Sequence, residues 1–333
     1  MDPTAFNPRR VRRDIEAARR SHGGRIWPES FADRLTDPLP TLRDVARLAR
    51  TANPWATGDD PDRIPVHRGG LPAVPRTGAT VTWVGHATFV VQVGGLRVLT
   101  DPVWSRRVPG IRPRYVPPGV AFADLRHVDA VLISHNHYDH LDAPTIRRLP
   151  RETPMFVPAA LGYWFRRRGF RSVVELDWWE SSTVGDVRFD FVPSHHWSRR
   201  GLHDSCKSLW GGWVITGPAD ERLYFAGDTG YGHWFGRIAA AHPGIDVAML
   251  PIGAYHPRWF MRPVHMNPEE AVRACADLGA TSLATMHWGT FAMTAEPAIE
   301  PLTRVRAAWE STGRPRDQLW DLPIGGTGFL PAP

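Results

Sequence analysis

Lysine is almost missing from this 333-residue chain: Lys207 is the one lysine among 40 basic residues, and arginine supplies the rest. Cysteine is nearly as scarce. Cys206 and Cys275 allow at most one disulfide and form no Cys-x-x-Cys pair, so nothing points to an oxidising compartment. Long apolar runs are absent too, and no stretch approaches the roughly 20 residues of a membrane span. The segment after Met1, with Arg9, Arg10, Arg12 and Arg13, lacks the apolar core of a signal peptide. The expectation is a cytoplasmic protein that meets a membrane, if at all, peripherally and from one side. Low-complexity tracts and short repeats are also lacking.

What is present is the composition of a folded chain, 42% hydrophobic and 22% charged. A net charge of +6 and a pI near 9.9 imply mild attraction to anions such as phospholipid surfaces or phosphodiesters. The runs Arg166-Arg167-Arg168 and Arg199-Arg200 read as solvated edges, and no aromatic-interleaved basic ribbon is evident. No nucleic-acid partner is expected. Fifteen tryptophans suit a large core, with a few left to surround a ligand site. Residues 1–75, rich in proline after an arginine-rich helical stretch near Arg9 to Arg20, read as an extension that wraps the core. Residues 76–333 show no linker and read as one domain.

From Thr80 the pattern becomes that of strands. Val81 to Gly85 and Thr88 to Val93 lead to the hairpin signal Gly94-Gly95 and then to Leu96 to Thr100. Further strands are expected at Val128 to Ile133, Val173 to Leu176, Val187 to Val192, Trp213 to Ile215, Leu223 to Ala226, Asp246 to Leu250 and Ser282 to Met286. Helices are expected near Ala143 to Leu149, Ala159 to Arg168 and Asn267 to Gly279, and from Leu302 through Val305 and Trp309 to Gly313. Asn267-Pro268-Glu269-Glu270 carries a capping residue, a first-turn proline and acids at the positive end of the helix dipole. The fold class is α/β: two mixed sheets with helices outside, a four-layer αβ/βα sandwich.

The chemistry concentrates where strands end. Ser134-His135-Asn136-His137-Tyr138-Asp139-His140 follows the apolar run Val128 to Ile133 directly. Imidazole and carboxylate on a loop held by a buried strand are the ligands that borderline divalent ions such as zinc prefer. Three more strand ends repeat the pattern: Ser194-His195-His196-Trp197, Gly227-Asp228-Thr229 and Met286-His287-Trp288. Seven ligands exceed one tetrahedral zinc and suit two ions sharing a bridging carboxylate.

The order His-x-His-x-Asp-His, His, Asp, His resembles the metallo-β-lactamase superfamily. The blocks Thr82 to Thr88, Ile133 to Asp142, Glu175 to Glu180, Phe225 to Tyr231, Pro251 to Tyr255, Pro257 to Met261 and His287 to Phe291 narrow the resemblance to N-acyl-phosphatidylethanolamine-hydrolysing phospholipase D. His256 departs from it, standing where that family has glutamate. The resemblance implies the metallo-β-lactamase fold and two Zn²⁺, one held by His135, His137 and His196, the other by Asp139, His140 and His287, with Asp228 between them. It also implies that Asp139 orients the attacking hydroxide, that Tyr138 and His265 contact a phospholipid substrate, and that the chain forms a homodimer. His86 and Asp101 are expected to hydrogen-bond beside the ions without binding them. Two other readings keep the metals: hydrolysis of a soluble phosphodiester, lactone or RNA, and a non-catalytic metal-binding protein.

Overall fold

Alternation along β2 (Thr88–Val93) sets the layering. Phe89, Val91 and Val93 enter one apolar cluster and Val90 enters another, so this strand has a core on each face. The structure, a computed structural model, describes residues 25–51, 61–75 and 77–331. The helix expected near Arg9 to Arg20 lies outside them.

The first sheet contains β1 (Ala79–Gly85), β2, β3 (Leu96–Thr100), β4 (Ala130–Leu132), β5 (Met155–Pro158), β6 (Val173–Leu176) and β14 (Thr327–Leu330), in the order β14-β1-β2-β3-β4-β5-β6. Its first four strands are antiparallel neighbours, and β3 to β6 are parallel. The second sheet mirrors this plan. It runs β13-β12-β11-β10-β9-β8-β7, built from β7 (Ser181–Val184), β8 (Val187–Val192), β9 (Gly212–Thr216), β10 (Arg222–Phe225), β11 (Val247–Pro251), β12 (Ser282–Met286) and β13 (Leu319–Trp320). Its β10 to β13 half is parallel and its β7 to β10 half antiparallel.

The inner faces meet through aromatic side chains. Phe89 faces Phe225 at 6.5 Å between ring centroids, and Phe156 faces Phe189 at 5.0 Å. Fully burying a side chain of this size stabilises the fold by about 1.5–3 kcal/mol. On the outer face of the first sheet, Ile146 of the Ala143–Arg148 helix and Phe165 of the Gly162–Arg166 helix pack on Val90, Leu99 and Val131. Outside the second sheet lie the helices Trp234–Ala241, Pro268–Asp277 and Glu300–Glu310, which bury Ile238, Cys275 and Trp309 in the central cluster. Two mixed sheets between layers of helices are the α/β architecture expected.

Some elements differ from expectation. The helix expected at Ala159 to Arg168 forms only over Gly162–Arg166, because the Ala159 amide still bonds to Leu176 O and Ala160 turns the chain with a left-handed φ of 63°. Strands β5, β7, β13 and β14 and the Trp234–Ala241 helix were not anticipated. The Asn267 cap is present as a capping box: its side chain accepts from the Glu270 amide at 2.9 Å, and Glu270 accepts from the Asn267 amide at 3.1 Å. Gly94 and Gly95 both take positive φ, as the β2–β3 turn requires. Both cysteines are free and buried. Within the extension, Phe31 is fully buried and its amide donates to Cys206 O at 2.7 Å, while Arg34 pairs with Asp177 and Val66 bridges to Ile324.

Candidate metal centre

Each candidate ligand leaves the end of a buried strand, and Asp101 ties the first loop together. It ends β3 in a left-handed conformation, φ 33°. One carboxylate oxygen accepts from the Ser134 amide at 2.7 Å, and the other lies 2.7 Å from His140 Nδ1. Both ends of the histidine loop are therefore pinned by one buried side chain. His86 (φ 56°) and His287 (φ 63°) also occupy the left-handed region, and backbone of this kind in non-glycine residues gathers at functional sites. Gly227 precedes Asp228 with φ 60°, and a Cβ there would stand 2.5 Å from Ser134 Cβ. Only glycine lets the Asp228 turn pass so close to the histidine loop.

Two groups of donor atoms result. In the first, His135 Nε2 lies 2.8 Å from His137 Nδ1, His196 Nε2 lies 3.2 Å from the same nitrogen, and Asp228 Oδ2 is 3.9 and 3.7 Å from His135 and His196. In the second, Asp139 Oδ2 is 3.4 Å from His140 Nε2 and 3.6 Å from His287 Nε2. Asp228 joins them, with Oδ2 3.0 Å from His140 Nε2 and Oδ1 3.1 Å from His287 Nε2. The donor atoms of each group fall within 4.8 Å of one another. Asp228 spans both groups, as a bridging carboxylate must.

Three of the nitrogens facing away from these groups are held by protein, while that of His287, Nδ1, has no hydrogen-bond partner among the described residues. His135 Nδ1 meets Ser134 Oγ at 2.9 Å, His140 Nδ1 meets Asp101, and His196 Nδ1 meets Val264 O at 3.1 Å. Each such contact places the proton outside and turns a lone pair inward, as metal-binding histidines require. His86 Nε2 lies 2.9 Å from Asp139 Oδ2 and holds that carboxylate from behind. The inward atoms His140 Nε2, His287 Nε2 and Asp228 Oδ1 are buried without a hydrogen-bond partner. Orphaned lone pairs in a buried nitrogen and oxygen set fit divalent cations.

Burial, with the neighbouring imidazoles, pushes His135 well below the ordinary histidine range; burial likewise brings His137 to about 4. Burial alone would raise Asp228 and Asp139. The surrounding imidazoles, His140 foremost, outweigh it and hold both carboxyls well below the usual range. Burial would lower His140 and His287 too, but the Asp228 and Asp139 carboxylates outweigh it, holding His140 well above the ordinary histidine range and His287 at about 9, so a cation binding there displaces protons from these two rings.

His265 stands beside both groups, its Nε2 3.9 Å from Asp228 Oδ2 and its ring 5.4 Å from that of His287. Arg258 holds it there, donating to His265 O at 2.9 Å and pairing with both oxygens of Glu270. His195 lies outside the groups, its ring 5.1 Å from His233. Tyr138 packs near Val103, Val108 and Phe291 at the rim. The solvated-edge reading of Arg199-Arg200 fails at Arg200. Its guanidinium stacks on Tyr138 at 4.2 Å and donates to Asn136 O at 3.0 Å, which clamps the histidine loop from outside. No local pattern distinguishes Arg200 from Arg199; the contact is tertiary. A cavity of roughly 220 Å³ opens beside His196, walled by Leu35 and Leu39 of the extension and by Trp259, Phe260 and Val264.

Two mixed sheets with a histidine and aspartate centre where their strand ends meet define a class of metal-dependent hydrolases. A family profile described as "Beta-lactamase superfamily domain" matches residues 96–288, and the chain belongs to that superfamily. An uncharacterized protein of Mycobacterium tuberculosis is 45% identical over 242 residues, covering 69% of this chain and 64% of that one. The chain thus spans less than two thirds of that relative. N-acyl-phosphatidylethanolamine-hydrolyzing phospholipase D 1 of Caenorhabditis elegans is 34% identical over 330 residues, 91% of each chain. The solved isothiocyanate hydrolase from Delia radicum gut bacteria shares the fold, with a TM-score of 0.61 at 20% identity over 75% of this chain and 98% of that one.

Proposed function

We propose that this chain is a dinuclear zinc phosphodiesterase that hydrolyses N-acyl-phosphatidylethanolamine to N-acylethanolamine and phosphatidic acid. The observation that carries the reading is the likeness over 91% of both chains to a relative named for that reaction, in a chain whose histidines and aspartates gather into groups able to hold metal ions. His135, His137 and His196 would hold one ion, Asp139, His140 and His287 the other, and Asp228 both. When bound, the zinc pair supplies a nucleophile near neutral pH and positive charge against the phosphoryl oxygens. Asp139, fixed by His86, orients the attacking water and accepts its proton. The new bond joins water oxygen to phosphorus. The bond that breaks joins phosphorus to the ethanolamine oxygen, which leaves as an alcohol after taking up the proton that Asp139 received. His265 and Tyr138 face the phosphate, and the apolar wall of Leu35, Leu39, Trp259 and Phe260 takes an alkyl chain.

Mass-spectrometric assay of a lipid panel on zinc-loaded protein tests this. Release of N-acylethanolamine, reduced at least about 100-fold by Asp139→Asn, is expected. Turnover confined to water-soluble phosphodiesters or lactones would overturn the lipid assignment.

A further inference from the structure

The arginine runs take on a different meaning once the chain is folded. Arg200 lies over Tyr138 at the rim of the site and, on its other side, 5.4 Å from the Trp164 ring centroid. Arg168 covers the same tryptophan at 3.6 Å, and Arg167 lies over Tyr163 at 5.4 Å. Cations and aromatic rings thus alternate outward from the site mouth, although the contributing runs stand more than thirty residues apart in sequence. The aromatic-interleaved ribbon that the sequence does not display is assembled by the fold.

Two features define what this strip would meet. Acids beside it are engaged: Glu175 pairs with Arg166 and accepts from the Gly162 amide, and Asp204 accepts from the Arg200 and Gly201 amides. Among the described residues, no ion pair takes up Arg167, Arg168 or Arg199, so the strip carries excess positive charge. Apolar tips also project from it. Tyr163 is 65% exposed, and Leu202, two residues beyond Arg200, is 81% exposed. Basic side chains around projecting tyrosine and leucine suit a lipid interface, where the charges meet anionic headgroups and the tips enter the apolar boundary. A nucleic-acid strip would place stacking rings where Leu202 stands.

We infer that the Arg167–Arg168–Arg200 strip, with Tyr163 and Leu202, docks the protein onto a membrane leaflet rich in anionic phospholipid. Docking there sets the Tyr138 rim of the metal centre against the leaflet. The inference rests on the proposed lipid substrate for its purpose but not for its test.

The test is sedimentation of the full, metal-loaded chain with vesicles of phosphatidylcholine alone or with added phosphatidylglycerol, containing no N-acyl phospholipid. Binding to the anionic vesicles, weakening as salt rises, is expected. The Arg167→Glu/Arg168→Glu double variant should bind them about tenfold or more weakly. Leu202→Asp, at an exposed tip, should also bind more weakly, and circular dichroism establishes that both variants are folded. Equal binding to neutral and anionic vesicles, retention of wild-type binding by both variants, or tighter binding to a single-stranded RNA oligonucleotide than to the vesicles would overturn the inference. Because the vesicles carry no substrate, a failure here is separate from a failure of the lipid-panel assay.

Discussion

Histidine does two jobs around this site, and the contacts of each ring tell them apart. His135, His140 and His196 each have one nitrogen held by a hydroxyl, carboxylate or carbonyl and the other turned to the metal groups. His86 supports a carboxylate, and burial lowers it to about 3, so it supports Asp139 as a neutral ring. His195 does neither. Burial, then the nearby His233, brings it to about 4, below the ordinary 6.5. Between those values the unfolded chain binds a proton that the folded chain refuses. The stability His195 contributes is therefore whole above about pH 6.5 and is lost as pH falls towards 4. Unfolding midpoints of wild type and His195→Asn, compared from pH 7 to pH 4.5, should show a shallower acid loss in the variant; parallel curves would contradict this. The ligands were legible because ionisable residues directly after apolar runs form a local pattern. Arg200 and the Val264 carbonyl were not, since what they touch is remote in sequence.

At the scale of elements, long alternating runs such as Thr88–Val93 and capped helices such as Pro268–Asp277 were readable from spacing alone. Short ones were not. Leu319–Trp320 is two residues long and exists as β13 only because β12 lies parallel beside it. Thr327–Leu330 becomes β14 because β1 offers an open edge, with Ala79 opposite Leu330. The extension is another element whose importance is tertiary. Phe31 is its buried anchor, and the next residues, from Leu35 onward, wall the cavity beside His196. Phe31→Ala should cost about 3–5 kcal/mol, seen as a lower urea midpoint with an unchanged slope. A loss under about 1 kcal/mol would mean that the extension is not anchored there.

Across the whole molecule, the centre joins the two sheets, since β4 brings His135 to His140 from the first sheet and β8, β10 and β12 bring His196, Asp228 and His287 from the second. Ions bound there would link the sheets, and a ligand that binds only the folded state stabilises it by mass action. Protein stripped with a chelator should melt several degrees lower in calorimetry, and added Zn²⁺ should restore the midpoint. Equal melting of stripped and loaded protein would argue against ions at this junction. Among the described residues no helix is long and apolar enough to cross a membrane.

By itself, the sequence determined the α/β class, the main strands and the candidate ligands, because periodicity, caps and strand-end ionisable residues act over a few neighbouring positions. Only the tertiary structure decided that Arg200 clamps the histidine loop, that the Val264 carbonyl holds His196, and that separate arginine runs interleave with Tyr163 and Trp164. Those outcomes depend on how two sheets pack and which loop faces which, and residues far apart along the chain carry no local trace of it.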